Sequence, residues 1–173
     1  MDLFGFTEIE KIFFSIYLIA HGLVHWVFLL YKYDEKEGGH VGWSRQSWLL
    51  DKVINKDLVR NIGFLTWILI AVLFVLSGLS VLDVPVINEF FNPLIIISSV
   101  IATLAFIIFF DGLFPTPYHW ILGVVINLAL ITFLIFFSED IQLILAILII
   151  IFLYGMLLHT KIISQVTGKT SSS

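Results

Sequence analysis

Five long apolar runs constrain the fold of this 173-residue chain more than any other feature. A helix needs about 20 predominantly apolar residues to cross the hydrocarbon core of a bilayer, and each run has about that length. The predicted spans are residues 9–31, 58–82, 93–110, 118–137 and 141–159. We therefore predict an all-α, polytopic integral membrane protein built as a bundle of five transmembrane helices.

The composition supports a membrane protein and argues against several other classes. Only 13% of the residues are charged and 60% are hydrophobic, whereas about a quarter of the residues in a soluble domain are charged. Disordered chains are poor in aromatic residues, and this chain has 17 phenylalanines. The net charge of −4 provides no basic surface for nucleic acid. Because cysteine is absent, we expect any metal or haem to be held through histidine.

The chain is predicted to form one transmembrane helical domain over residues 1–166, with a small, polar, disordered tail at 167–173. A long loop, residues 32–57, follows the first span. The fourth and fifth spans are separated by residues 138–140, which include two consecutive acidic residues. Acidic residues are costly inside a bilayer, so we predict a tight reversal at the membrane surface there.

The placement of the basic residues predicts the orientation. Eight of the nine lie either between the first span and the first turn of the second, or after the fifth span. With five spans these regions share one side of the membrane, and Lys11 is the single basic residue on the other. Because basic residues concentrate on the cytoplasmic side, we expect the N-terminus outside and the C-terminus in the cytoplasm, with the chain in the plasma membrane.

Polar residues inside the predicted spans are the strongest indication of a functional site, because they are costly in a bilayer. The first span contains His21 and His25, whose spacing of four places both rings on one helical face, with Tyr17 one turn earlier. The expected orientation puts all five histidines at or below mid-membrane, on the cytoplasmic side. We therefore predict a cytoplasm-facing polar pocket for ligand binding or proton relay. Its expected lining residues are Tyr17, His21, His25, Asp111, His119 and Asn127.

The histidine pair is compatible with several kinds of chemistry. Imidazoles four residues apart on a helix can chelate one metal ion, so His21 and His25 are candidate metal ligands. The helical metalloprotease motif requires Glu after the first His, where this chain has Gly22. The two histidines cannot both bind one haem, because its axial ligands lie on opposite faces of the ring. No set of nucleophile, base and acid is visible, so an enzyme is the least favoured class.

Three functions therefore remain open. The first is binding of a metal, a cofactor or a small ligand at the histidine pocket. The second is transport or proton conduction by an oligomer, because neutral histidines suit proton relay. The third is a structural subunit of a larger membrane complex, in which the histidines hydrogen-bond neighbouring helices. The expected partners are the lipid bilayer and either further copies of the chain or another membrane subunit.

The loop between the first two spans contains three glycines that permit an irregular backbone. Ser44 or Ser47 is a candidate cap for a short helix that reaches toward Val53. This helix would present Trp48 and Leu49 to the membrane interface. We favour an interfacial segment, with a lid over the pocket as the alternative.

Three motifs resemble a group of small polytopic membrane proteins of bacteria and archaea. They are the Ala-His-Gly-Leu-Val-His run at 20–25, the Ser-Arg-Gln-Ser-Trp-Leu-Leu run at 44–50, and the spacing of Pro117, Gly123 and Asn127. The group shares an Ala-His-Gly-Leu-x-His helix, an Arg-Ser-Trp-Leu-Leu-like loop and a Pro-x(5)-Gly-x(3)-Asn helix. The resemblance covers about residues 15 to 135, and this chain departs from it by the inserted Gln46. It implies a membrane location and no particular activity.

Overall fold

The computed structural model describes residues 6–29, 32–33, 40–114 and 118–136. These residues belong to one unit, which covers residues 1–139. The unit is mostly helical. Its four α-helices are α1 (Glu8–Val24), α2 (Lys56–Val81), α3 (Phe91–Ile108) and α4 (Tyr118–Phe136).

Among the described residues, three helical segments are long and apolar enough to cross a membrane. They are Glu8–Leu29, Lys56–Val81 and Asn88–Ile108. The apolar part of α4, Ile121–Leu134, is shorter. The prediction of a largely helical protein is thus confirmed, with three helices that could span a membrane. The fifth predicted span (141–159), the end of the predicted single domain and the tail (167–173) lie outside the described residues, so five spans and their orientation stay predictions.

A small antiparallel sheet lies where the sequence predicts an irregular loop. Its strands, in the order β1-β2-β3, are Lys32–Tyr33, His40–Trp43 and Leu113–Phe114. Lys32 pairs with Val41, and Gly42 pairs with Phe114. The sheet joins the loop after α1 to the connection between α3 and α4. The all-α prediction omits it because this pairing depends on segments far apart in the chain.

Local hydrogen bonds explain where the first two long helices begin. The Thr7 hydroxyl accepts a hydrogen bond from the Glu10 backbone N–H at 3.3 Å, and the Glu10 carboxylate accepts one from the Thr7 N–H at 2.8 Å. This reciprocal capping box satisfies two N–H groups that a helix start leaves free. At α2, the Asn55 Oδ1 accepts from the Leu58 N–H at 2.8 Å. As a result α2 begins at Lys56, inside the predicted loop.

Small residues let α1 and α2 pack closely. A Cβ atom on Gly22 would lie 2.8 Å from the Cβ of Phe74. A Cβ atom on Gly78 would lie 2.9 Å from the backbone oxygen of Ser15. Close backbone approach through small residues is typical of helix pairs in membranes. This contact fixes which face of α1 points into the unit.

Lys11 connects the start of α1 to the turn after α2. Its side chain is only 7% exposed. The ammonium donates to the Asp83 carboxylate at 2.8 Å and to the Glu8 carboxylate at 3.2 Å. The pairing offsets the cost of burying a lysine. It lies at the end of the α1–α2 pair opposite to the sheet.

Trp43 of β2 anchors the sheet to the helices. The ring is fully buried and packs against Gly63 of α2 and Gly112. Its indole N–H donates to the backbone oxygen of Gln46 at 2.8 Å. A large aromatic ring held by two glycines and a hydrogen bond leaves the strand little freedom to move.

Candidate functional site

Three predicted site residues form a ladder of rings along α1 and the short 3-10 helix that continues it, His25–Leu29. We call it the histidine ladder: Tyr17, His21 and His25. The Tyr17 and His21 rings stack with their centroids 6.1 Å apart and 4° between their planes. The His21 and His25 rings meet edge to face, with centroids 5.1 Å apart. Side chains four residues apart lie one helical turn from each other, so the spacing in the sequence produces the ladder directly.

His21 links the ladder to α4. Its Nε2 lies 3.1 Å from the Oδ1 of Asn127, a residue that is fully buried. The contact joins two residues separated by 106 positions in the chain. With the amide in this orientation, Nε2 carries the proton and donates it, because a carbonyl oxygen only accepts. The Asn127 Nδ2 has no hydrogen-bond partner among the described residues.

His25 is oriented by the backbone of α1. Its Nδ1 lies 2.8 Å from the backbone oxygen of His21. Since that oxygen can only accept, Nδ1 holds the proton and Nε2 of the neutral ring bears a lone pair. His25 is 1% exposed, and Nε2 has no hydrogen-bond partner in the described part of the chain. A buried imidazole therefore presents a free acceptor to its surroundings.

Aromatic side chains from three helical segments surround His25. Their ring centroids lie between 5.7 and 6.2 Å from the imidazole centroid. We call this set the aromatic cage, and its members are Phe28, Trp67, Phe74 and Phe106. The cage excludes water, so a hydrogen bond formed inside it is electrostatically stronger than one in solution.

Several polar atoms at the ladder lack hydrogen-bond partners. Within the described ranges these include the Tyr17 hydroxyl, the Trp67 Nε1 and the two nitrogens already noted on His25 and Asn127. A buried polar group without a partner costs about 1–3 kcal/mol. Native proteins seldom keep several such groups together unless something binds them. Four such atoms on the ladder, or on residues in contact with it, mark it as a candidate ligand site.

The remaining predicted site residues take different places. The Asp111 carboxylate is exposed and accepts a hydrogen bond from the Trp48 backbone N–H at 3.0 Å, so it holds the loop. His119 lies in the first turn of α4, and its side chain is outside the described part. Over the described residues, no group of three or more His, Asp or Glu side chains could hold a metal ion.

The sequence did not single out the aromatic cage. Phe74 and Phe106 are two of 17 phenylalanines, and nothing in their spacing distinguishes them. Trp67 did carry a usable signal, because it falls inside the predicted second span whereas tryptophan in membrane proteins concentrates at the interfaces. In the structure it is fully buried, 6.1 Å from the His25 ring centroid.

No protein-family model, no curated protein and no solved structure matches the chain.

Proposed function

We propose that this chain is a multi-pass plasma-membrane protein that binds a small polar ligand at the histidine ladder. The single observation that carries the proposal is the buried lone pair on His25 Nε2, which has no partner in the described residues. The indole N–H of Trp67, in the ring beside it, is also unpartnered there. A hydroxyl or amide group can donate to the first atom and accept from the second.

A metal ion or a haem fits these side chains less well. The described residues contain no group of three metal-ligating side chains, whereas structural and catalytic zinc sites use at least three protein ligands. The four rings of the aromatic cage have their centroids within 6.2 Å of the His25 centroid. A planar macrocycle would have to displace these rings, while a small polar group needs only to reach one or two nitrogens.

The ligand is tested on protein purified from its native membranes. Mass spectrometry of extracted small molecules, metal analysis and an absorption spectrum are recorded for the wild type and for two matched variants. We expect a small molecule to co-purify with the wild type and with Trp48→Phe, whose indole bonds to the Ile107 carbonyl oxygen. We expect the ligand to be absent from the purified Trp67→Phe variant. Retention by both variants, or a stoichiometric metal or a Soret band instead, would reject the proposal.

We also propose five spans with the N-terminus outside. Charge supports this orientation, because Arg45, Lys52, Lys56 and Arg60 lie toward the sheet end of the helices, while Lys11 lies at the opposite end. Since basic residues concentrate on the cytoplasmic side, we expect the sheet to lie on that side. The His25 end of the histidine ladder would then lie nearer the cytoplasmic side, since the 3-10 helix that begins at His25 precedes β1 in the chain.

Cysteine labelling tests the topology cleanly, because the natural chain has none. Glu89→Cys, Lys52→Cys and Ser172→Cys are made one at a time and treated with a membrane-impermeant maleimide. In intact cells we expect only the Glu89→Cys variant to be labelled. The Lys52→Cys and Ser172→Cys variants should be labelled only after the membrane is permeabilised. Label on the Ser172 variant in intact cells, with Lys52 still protected, would require an even number of spans.

A second function is favoured by the regular ladder itself. The ladder consists of three titratable rings, Tyr17, His21 and His25, at successive centroid distances of 6.1 and 5.1 Å. Chains of such groups serve as proton relays in membranes. Because five helices make a small bundle, a conducting pathway would need an oligomer.

Proton flux into liposomes separates this function from ligand binding. The purified protein is reconstituted with an internal pH-sensitive dye, and a potassium diffusion potential drives the flux. Conduction predicts a flux that His21→Phe abolishes and that Trp48→Phe preserves. Absence of flux in the wild type would leave ligand binding as the function of the ladder.

A further inference from the structure

Three hydrogen bonds fix the segment that follows β2 to the end of α3 and to the turn after it. The Ser47 hydroxyl donates to the Ile108 backbone oxygen at 2.7 Å. The Trp48 indole N–H donates to the Ile107 backbone oxygen at 2.8 Å. The Trp48 backbone N–H donates to the Asp111 carboxylate at 3.0 Å. These bonds give the exposed side chains of the segment a defined position.

Two exposed cations of this segment have no carboxylate partner in the described structure. The Arg45 guanidinium carbon lies 5.5 Å from the centroid of the Phe64 ring, and the Lys52 ammonium lies 5.4 Å from the centroid of the Trp48 ring. Aromatic faces attract cations without neutralising them. Both charges are therefore held in place and remain available to an anion.

The backbone at Arg45 is strained. Its φ is 64°, in the left-handed region that residues other than glycine seldom adopt. Strain of this kind persists where the surrounding structure imposes it, and it concentrates at functional sites. Here the strain places a guanidinium over the ring of Phe64 at the sheet end of α2.

Large apolar side chains are exposed beside the two cations. Trp48 is 40%, Leu49 is 42% and Val53 is 73% exposed. An apolar group next to unpaired positive charge is typical of surfaces that lie in the headgroup region of a membrane. The same combination does not suit a free phosphate ion or an acidic peptide in water, which would leave the apolar side chains uncovered.

We propose that Arg45 and Lys52 bind the phosphate of an anionic phospholipid, with Trp48 and Leu49 against its glycerol and upper acyl chains. A guanidinium forms paired hydrogen bonds with phosphate oxygens, and an ammonium adds a compact positive charge. Anionic lipids supply the negative charge that neither cation finds within the described chain. We call the four residues the lipid site.

Native mass spectrometry of the full chain in detergent tests the lipid site. The protein is titrated with phosphatidylglycerol and, separately, with phosphatidylcholine, and bound lipids are counted. Each basic residue near a membrane surface contributes a factor of about five to the binding of anionic lipid. We therefore expect the wild type to bind phosphatidylglycerol in preference to phosphatidylcholine. We expect this preference to be about 25-fold lower in the Arg45→Asn/Lys52→Gln variant. Asparagine is chosen because it tolerates a positive φ.

The matched control is Arg60→Gln, which removes a cation that already pairs with Asp57 at 3.3 Å. The Arg60→Gln variant should keep the preference for phosphatidylglycerol. If the double variant fails to fold, Lys52→Gln alone, an exposed position, should lower the preference about fivefold. Equal binding of the two lipids, equal loss in the control, or displacement of phosphatidylglycerol by inorganic phosphate at equal concentration would overturn the proposal.

Discussion

Gly63→Ala tests whether the Trp43 ring is locked against α2. A Cβ atom added at Gly63 would lie 1.9 Å from the Cη2 of Trp43, 2.4 Å from its Cζ3 and 2.6 Å from its Cζ2. Ordinary carbon contacts are about 3.5–4 Å, so the ring would have to move by about 1.5 Å. It cannot do so freely, because Gly112 and the Gln46 backbone oxygen hold its other edge.

We expect the Gly63→Ala substitution to lower the free energy of unfolding. Overpacking a filled site costs about 1–3 kcal/mol, and alanine regains up to about 1 kcal/mol over glycine in a helix interior. The clash involves three ring atoms, so we take the upper figure and predict a net loss of about 2 kcal/mol in the free energy of unfolding. Without the clash, the same substitution would stabilise the protein.

Reversible unfolding by SDS in mixed micelles, followed by circular dichroism, measures this free energy. Trp43→Phe provides the matched test, because phenylalanine lacks the outer ring atoms that would clash. The double variant should therefore be less destabilised than the sum of the two single variants. A Gly63→Ala protein as stable as the wild type, or additive effects in the pair, would refute the packing argument.

Three further predictions concern contacts between segments. Asp83→Asn lowers the SDS unfolding midpoint, because it removes the carboxylate that pairs at 2.8 Å with the buried lysine of α1. A double-mutant cycle of His21→Phe and Asn127→Leu gives a coupling energy of about 0.6 kcal/mol, the average for hydrogen bonds between membrane helices. Ser47→Ala lowers the unfolding free energy by about 1 kcal/mol, since its hydroxyl bridges two segments. Ser44→Ala does not lower it, because that hydroxyl has no partner within the described ranges.

Each of these has a clear contrary result. An unchanged midpoint for Asp83→Asn would mean that the ion pair does not stabilise the start of α1. A coupling energy of zero would mean that the hydrogen bond between α1 and α4 does not stabilise the protein. Equal losses at the two serines would show that the hydroxyl contacts of Ser47 are not what fixes the loop.

Periodicity was sufficient to predict the arrangement along α1. Tyr17, His21 and His25 recur every four residues, and their rings lie against one another in the structure. Helical geometry alone imposes this, whatever the rest of the chain does. Periodicity does not show which helix meets the ladder; in the structure it is α4, through Asn127.

Asp111 illustrates what depth in the membrane leaves open. It was expected to line the pocket, and in the structure its carboxylate accepts a hydrogen bond from the Trp48 backbone N–H. Residues at one depth in a bundle can point in any direction around their helix axes. Only the packing of the helices selects the partner.

By itself, the sequence determined the apolar helices, because transfer of a segment into a bilayer depends on that segment's own side chains. It also determined the face shared by the histidines. Tertiary structure alone decided that β3 would pair with β2, that four aromatic rings would enclose His25, and that His21 would reach Asn127 across 106 positions. Contacts between distant residues depend on how helices pack, and packing depends on the shapes of all their side chains together.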